Sequence, residues 1–170
     1  KNINNPYMSK QTICLNMIVK NESHIIEKTL VNILENVKID YWVISDTGST
    51  DNTVDIINSF FEKRNIPGEI FHDEWKDFGY NRTKALEHAY NKTDYIFIFD
   101  ADDLIHGTIP FPEILDKDEY SLNFDGRSYS RRILISNRRK WKYIGVLHEI
   151  LKRAENKPYT YEYLRGNYHI

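Results

Sequence analysis

The sequence predicts an α/β fold, a mostly parallel sheet flanked by helices and followed by a mixed or antiparallel β-rich part. Three observations carry this reading. From Ile13 to Phe99, short apolar runs suited to strands buried on both faces alternate with stretches of helical apolar spacing. Loop-forming acidic segments follow directly on two of those runs, and after Pro112 the alternation gives way to strand-like runs separated by turns.

Taken in order, Ile13 to Val19 (ICLNMIV) is the first strand, short, apolar and partly β-branched. From Ser23 onward Ile25, Ile26, Leu30, Ile33, Leu34 and Val37 recur at helical spacing, with Ser23 as the expected cap. Tyr41 to Ser45 repeats the strand signature and leads into Asp46 to Thr53 (DTGSTDNT), dense in loop formers. Val54, Ile57, Phe60 and Phe61 then mark a second helix, capped by Thr50 or Asp51. Glu69 to His72 reads as a short strand and Tyr80 to Tyr90 as a third helix. Tyr95 to Phe99 (YIFIF) is the most apolar strand and runs into Asp100-Ala101-Asp102-Asp103. Beyond Pro112, strands are expected at Ser121 to Phe124, Tyr129 to Ile135 and Tyr143 to Leu151, with a turn at Asp125-Gly126. Parallel strands joined by helices bind ligands at their carboxyl ends, which is where both acidic segments fall.

The 170 residues match one ordinary domain, 1–170, with 12–110 as the ligand-binding half and 111–170 as a β-rich half. A polar Lys1–Gln11 segment, and an end at Ile170 straight after a strand-like run, suggest a piece of a longer protein. A net charge of -2 supplies no global field for nucleic acid or an anionic membrane, so any anionic ligand has to be held locally. Cys14 is the single cysteine and lies in an apolar run, which excludes a disulfide framework and a cysteine-based zinc site. No stretch approaches the roughly 18 apolar residues that span a bilayer. Sequons at Asn21, Asn81 and Asn91 include structured positions where a glycan would clash, and with the lone thiol they favour a cytoplasmic setting.

The chemistry concentrates at the strand ends. Asp100, Asp102 and Asp103 repel one another unless a hard cation or hydrogen-bond donors neutralise them, and an oxygen-rich site suits Mg²⁺ or Mn²⁺, which would bridge to a diphosphate. The same run is compatible with a solvated Asp-rich turn. Gly48 permits close backbone approach, Asp46 can accept hydrogen bonds from a base or ribose, and the helix that follows offers free N–H groups; a simple helix cap fits this segment equally. Arg82, after Phe78-Gly79-Tyr80-Asn81, can fork onto a phosphate or base, although a lone helical Arg also serves as a surface ion-pair partner.

Four blocks in order, ICLNMIVKNE, VISDTGSTDNT, FGYNRTKAL and YIFIFDADD, closely resemble the family 2 glycosyltransferases of GT-A (Rossmann-like) fold from about Ile13 to Asp103. The resemblance implies a sugar transferred from a nucleoside-diphosphate donor, with UDP favoured, to an acceptor that stays open between glycan, lipid, protein and small molecule. It implies that Asp46 contacts the base, that Arg82 helps hold the nucleotide, and that the pair Asp100 and Asp102 serves ribose and metal. Asn21, Glu22, Gly48, Ser49 and Ala101 complete the expected donor-binding set. The stretch Trp141 to Glu149 resembles a W-x-G-x-x-HE segment of a bacterial branch, with looser spacing. There His148 is a candidate third metal ligand. Glu149 is the candidate general base of an inverting displacement, with Asp125 in reserve.

Two enzyme-like and signalling alternatives fit less well. A haloacid-dehalogenase-type phosphohydrolase requires a second Asp two residues after its nucleophile, where Gly48 stands after Asp46. A receiver domain requires acidic residues after the first strand, where Lys20-Asn21-Glu22 stands. A nucleotide-sugar-binding module without turnover of its own remains the non-enzyme alternative.

Overall fold

The computed structural model describes residues 11–124, 129–145 and 149–170. Asp125 and His148, and with them the expected turn at Asp125-Gly126, lie outside the described residues. The elements are β1 (Ile13–Val19), α1 (Ile26–Asn36), β2 (Tyr41–Asp46), α2 (Thr53–Glu62), β3 (Gly68–His72), α3 (Phe78–Ala89), β4 (Tyr95–Ile98), β5 (His106–Gly107), β6 (Glu119–Phe124), β7 (Tyr129–Ser136), β8 (Trp141–Ile144), β9 (Ile150–Arg153), β10 (Tyr161–Tyr163) and β11 (Tyr168–His169).

Among the described residues a seven-stranded sheet runs in the order β10-β6-β7-β4-β1-β2-β3. β3, β2, β1 and β4 are mutually parallel, while β7 is antiparallel to both β4 and β6. The fold is thus α/β with a mostly parallel N-terminal part and a mixed continuation, as the alternation predicts.

Strand alternation distributes the core to the two faces. Ile13, Leu15, Met17 and Val19 of β1 join Leu30 and Ile33 of α1 and Phe60 and Phe61 of α2 on one side, with Trp42 stacked on Phe61 at 4.6 Å. Cys14 and Val43 pack with Leu86 and Ala89 of α3 and with Trp141 and Leu151 of the β8–β9 hairpin on the other. Burial pushes the Cys14 thiol up to about 12, which leaves it an inert core side chain. Asn16, buried on the Cys14 face of β1, ties α3 to the sheet by donating from Nδ2 to Val43 O at 3.2 Å and Ala85 O at 2.9 Å. No helix among the described residues is long and apolar enough to cross a membrane.

Three local expectations are corrected. Ser23 does not cap α1: its amide donates to Asp51, and the Glu22 carbonyl accepts from Ile25 and Ile26, so the helix begins without a side-chain cap. The N-cap of α2 is Asn52 rather than Thr50 or Asp51, and its side chain makes no cap bond; Asp51, one residue earlier, accepts from the Thr53 amide and hydroxyl at 3.0 and 2.6 Å, and these donors together with Ser23 hold its carboxyl well below the ordinary range. Tyr143 to Leu151 is not one strand. β8 stops at Ile144 because Gly145 adopts φ 110°, and β9 returns antiparallel with Ile144 opposite Ile150.

That hairpin is seated by a close approach. A Cβ at Gly79, in the first turn of α3, would lie 2.6 Å from the Gly145 carbonyl oxygen, and the Tyr143 amide donates to Thr83 Oγ1 at 2.9 Å. Gly79→Ala gains up to about 1 kcal/mol of helix propensity but forces the hairpin off the helix, at a cost of roughly 1–3 kcal/mol. We expect a lower urea midpoint for the variant at unchanged m-value; a raised midpoint would mean that the hairpin moves freely.

Candidate active site

The parallel strands β2, β1 and β4 end on one edge of the sheet. Asp46 is opposite Val19, and the Phe99 amide donates to Asn16 O just before Asp100. Asp46 and Asp100 therefore stand two strand spacings apart, roughly 10 Å. The β1–α1 and β2–α2 loops are knitted together here. Asn21, at φ 56°, accepts from Thr50 N at 2.7 Å and donates its amide to Ser49 Oγ at 2.9 Å, while the Glu22 amide donates to Thr53 Oγ1 at 2.8 Å. The side chains of Asn21 and Ser49 thus hold this rim in shape. Asp46 is buried; its carboxylate accepts from the amides of Gly48 and Ser49 at 3.3 and 3.2 Å, with His72 Nδ1 at 3.4 Å. Gly48 has φ 104°, a conformation that L side chains rarely adopt, and the space above it is open.

The second cluster surrounds Asp100. Arg82 Nη1 is 2.8 Å from Asp100 Oδ1 and its Nε is 3.2 Å from Glu149 Oε1, close enough to pair although the Nε–H is not aligned for a hydrogen bond. Arg131, from β7, donates from Nη2 to Asp100 Oδ2 at 3.0 Å, and its Nη1 lies 3.6 Å from Asp103. Burial works against the Asp100 charge, but the two guanidiniums outweigh it and hold the carboxyl below its ordinary value. For Arg82 burial likewise opposes ionisation, and Asp100 outweighs it, so the guanidinium stays charged. Asp103 goes the other way: burial, then the neighbouring Asp100, push it up to about 6. Ala101 is buried, and its carbonyl accepts from Thr29 Oγ1 at 2.6 Å, anchoring the acidic turn to α1. Asp102 is exposed, and no hydrogen bond or ion pair with another described residue holds its carboxylate.

Among the described residues no group of three or more His, Cys, Asp or Glu is arranged to hold a metal by itself. Mg²⁺ and Mn²⁺ sites commonly draw one or two carboxylates from the protein and the remaining oxygens from substrate phosphate. The uncommitted Asp102 beside Asp100 fits that donor set.

A cavity of about 620 Å³ opens from this cluster over β4, β7, β6 and β10, with Arg82, Asp100, Arg131, Tyr143 and Glu149 at one end and Glu119, Arg132, Tyr159, Tyr161 and Tyr163 at the other. Arg131, Arg132 and Glu119 went unrecognised in the sequence. A β-bulge explains part of this: Tyr120 faces Leu134 but Ser121 faces Arg132, so Ile133 is skipped. Leu134 points into the core of α1 and α2, and an unbroken strand would send Arg132 the same way; the bulge turns it to the cavity beside Glu119, 2.9 Å away.

The profile of Glycosyl transferase family 2 matches residues 14–119, more than half of the chain. The chain belongs to glycosyl transferase family 2. The SPbeta prophage-derived glycosyltransferase SunS of Bacillus subtilis (strain 168) is 41% identical to this chain over 94 residues, 55% of this chain and 20% of that protein. The glycosyltransferase SunS of Bacillus phage SPbeta gives the same figures. The chain therefore spans about a fifth of the length of the curated relatives it matches. Among solved structures, S. aureus TarS 1-349 in complex with UDP superposes with a TM-score of 0.53 at 17% identity, covering 68% of this chain and 36% of that one. Its complex with UDP-GlcNAc gives 0.52 at 18% identity, covering 68% and 35%. These likenesses establish the GT-A fold of the domain.

Removing Arg82 leaves, among the described residues, Asp100 with one guanidinium and Glu149 with none, inside a largely buried site. Arg82→Met is expected to cost on the order of 3 kcal/mol in urea unfolding, and Arg82→Lys clearly less. Equal stability of Arg82→Met and the parent would show that the cluster is held by the backbone alone.

Proposed function

We propose that the chain is the donor-binding domain of a metal-dependent glycosyltransferase that moves a sugar from a nucleoside diphosphate, UDP by preference, to an acceptor hydroxyl with inversion. Family membership and the GT-A fold support transfer chemistry. The observation that carries the reading is the acidic turn after β4: Asp100 fixed by Arg82 and Arg131, with Asp102 exposed and uncommitted beside it. UDP and UDP-GlcNAc are bound by TarS, whose fold the domain shares, which supports a uridine nucleotide here.

In this reading the base lies over the rim formed by Asp46, Gly48, Ser49, Asn21 and Glu22, with the Asp46 carboxylate receiving a base or ribose donor. The diphosphate crosses toward Asp100 and Ala101, a span comparable with the roughly 10 Å between the two strand tips. Asp102, with Asp100 beside it, would hold Mn²⁺ or Mg²⁺, which when bound offsets the charge that builds on the departing phosphate. Arg82 contributes fixed positive charge at the same point, already oriented by Asp100. Glu149, at the head of the cavity, takes the acceptor proton as the new glycosidic bond forms and the bond to the diphosphate breaks. Asp125 and His148, outside the described residues, stay the reserve base and the further metal ligand of this proposal. We place the protein in the cytoplasm on its one buried thiol.

A donor-binding module that relies on other parts of a longer protein for turnover is the second reading, favoured by the one-fifth coverage of the curated relatives. Donor hydrolysis or transfer by the 170 residues separates the two. A panel of nucleotide sugars with Mn²⁺ or Mg²⁺, read by thermal stabilisation, tests the donor; stronger stabilisation by GDP or dTDP than by UDP would displace uridine. Asp102→Ala is expected to abolish transfer while retaining the melting temperature of the free protein, and full transfer by that variant in metal-free buffer would overturn the metal assignment. Glu149→Gln is expected to lower turnover by roughly 10²–10⁴-fold with little change in donor affinity; unchanged turnover would move the base elsewhere.

A further inference from the structure

We infer that the far end of the cavity is a saccharide seat, so that the acceptor of the proposed transfer is a sugar hydroxyl; this rests on the glycosyltransferase reading above. The cavity is longer than the donor needs. Its far wall is β10, which lies three strands from β4 in the sheet order, roughly 14 Å from the strand-tip carboxylates. A donor hexose attached to a diphosphate at Asp100 ends well short of that wall.

The far end pairs aromatic faces with charged hydrogen-bonding groups. Tyr161 stands directly beside Glu119 and Tyr163 beside Ser121 in the β10–β6 register, and all four line the cavity. A second ring, Tyr159, lies 6.3 Å from Tyr161, which is 71% exposed. The carbon-bound hydrogens on one face of a pyranose carry partial positive charge and pack on the negative face of such rings, while its hydroxyls seek carboxylate and guanidinium partners. Arg132 donates from Nε to Glu119 Oε1, from Nη1 to Leu151 O and from Nη2 to the Tyr159 hydroxyl, which fixes the carboxylate and leaves one N–H on each terminal nitrogen for a ligand. Glu119 is 3% exposed, and its Oε2 has no hydrogen-bond partner among the described residues. An unpaired buried carboxylate oxygen is costly, and a donor hydroxyl at this end of the cavity is the group that relieves it. A peptide would find main-chain partners along β10, the outermost strand of the sheet, and not among the side chains of the cavity.

The test is saturation-transfer NMR on the full 170-residue chain with methyl glucopyranoside, methyl galactopyranoside and methyl N-acetylglucosaminide, in the presence of UDP. We expect transfer to the ring protons of at least one glycoside, a loss of about fivefold or more in Tyr161→Ala, and retention in Tyr161→Phe, which keeps the ring and removes the hydroxyl. Because Tyr161 is exposed and remote from the donor rim, UDP stabilisation should be the same in all three proteins. Absence of transfer from every glycoside, or transfer unaltered in Tyr161→Ala, would overturn the saccharide seat. Stronger transfer to a blocked Ser-containing tripeptide than to any glycoside would overturn it in favour of a peptide on the β10 edge. Failure of UDP to stabilise the parent chain would count against the donor reading alone and leave the glycoside result standing.

Discussion

A buried guanidinium with carboxylates on two sides organises the working edge of this domain. Arg82 comes from the first half of α3, Asp100 from the turn just after β4 and Glu149 from the position just before β9, so one side chain fixes the relative position of three elements. Charges this far from solvent hold their geometry only when they are paired, and their pairing fails if any of the three elements shifts. The apolar core supplies the stiffness this requires: α3 is pressed onto β1 and β2 by Leu86 and Ala89 and pinned by Asn16. The close contact of Gly79 with Gly145 sets the hairpin against the helix at the height of Arg82.

Electrostatics then separates the acidic residues into different roles. Asp100 is ionised and fully engaged, Asp103 is pushed toward neutrality by burial and by Asp100, and Asp102 remains exposed and uncommitted. One short run after a strand thus provides an anchored carboxylate, a carboxyl raised to about 6 and an exposed carboxylate. The Asp46 rim differs in kind: its carboxylate is shaped by backbone amides of its own loop, and Asn21 and Ser49 stiffen the loops rather than pointing freely into space.

The parallel half of the fold was legible in the sequence because period and composition agreed there. The runs at Ile13, Tyr41 and Tyr95 are too apolar to face water, and the acidic loops after Ser45 and Phe99 mark the carboxyl ends of the parallel strands. Ser23 misled because the nearby Asp51 takes its amide, a contact across 28 residues that no local rule reveals. The split of Tyr143 to Leu151 turned on Gly145, which reads as one more strand residue until its left-handed φ is seen. Arg131, Arg132 and Glu119 escaped because a bulge resets the alternation of β7 and because their partners come from distant strands. Asp46, Arg82, Asp100 and Glu149 were named from the sequence one at a time, whereas the pairing of Arg82 with Asp100 and Glu149 is a property of the fold alone.

In the proposed function the acidic turn after β4 receives a divalent cation together with a nucleoside diphosphate. Paramagnetic broadening of amide resonances by substoichiometric Mn²⁺ with UDP reports on that encounter residue by residue. We expect selective loss of signal at residues 100–103, extending to Arg82 and Arg131 and sparing α2. Broadening confined to other acidic surface residues, or none that depends on UDP, would contradict it.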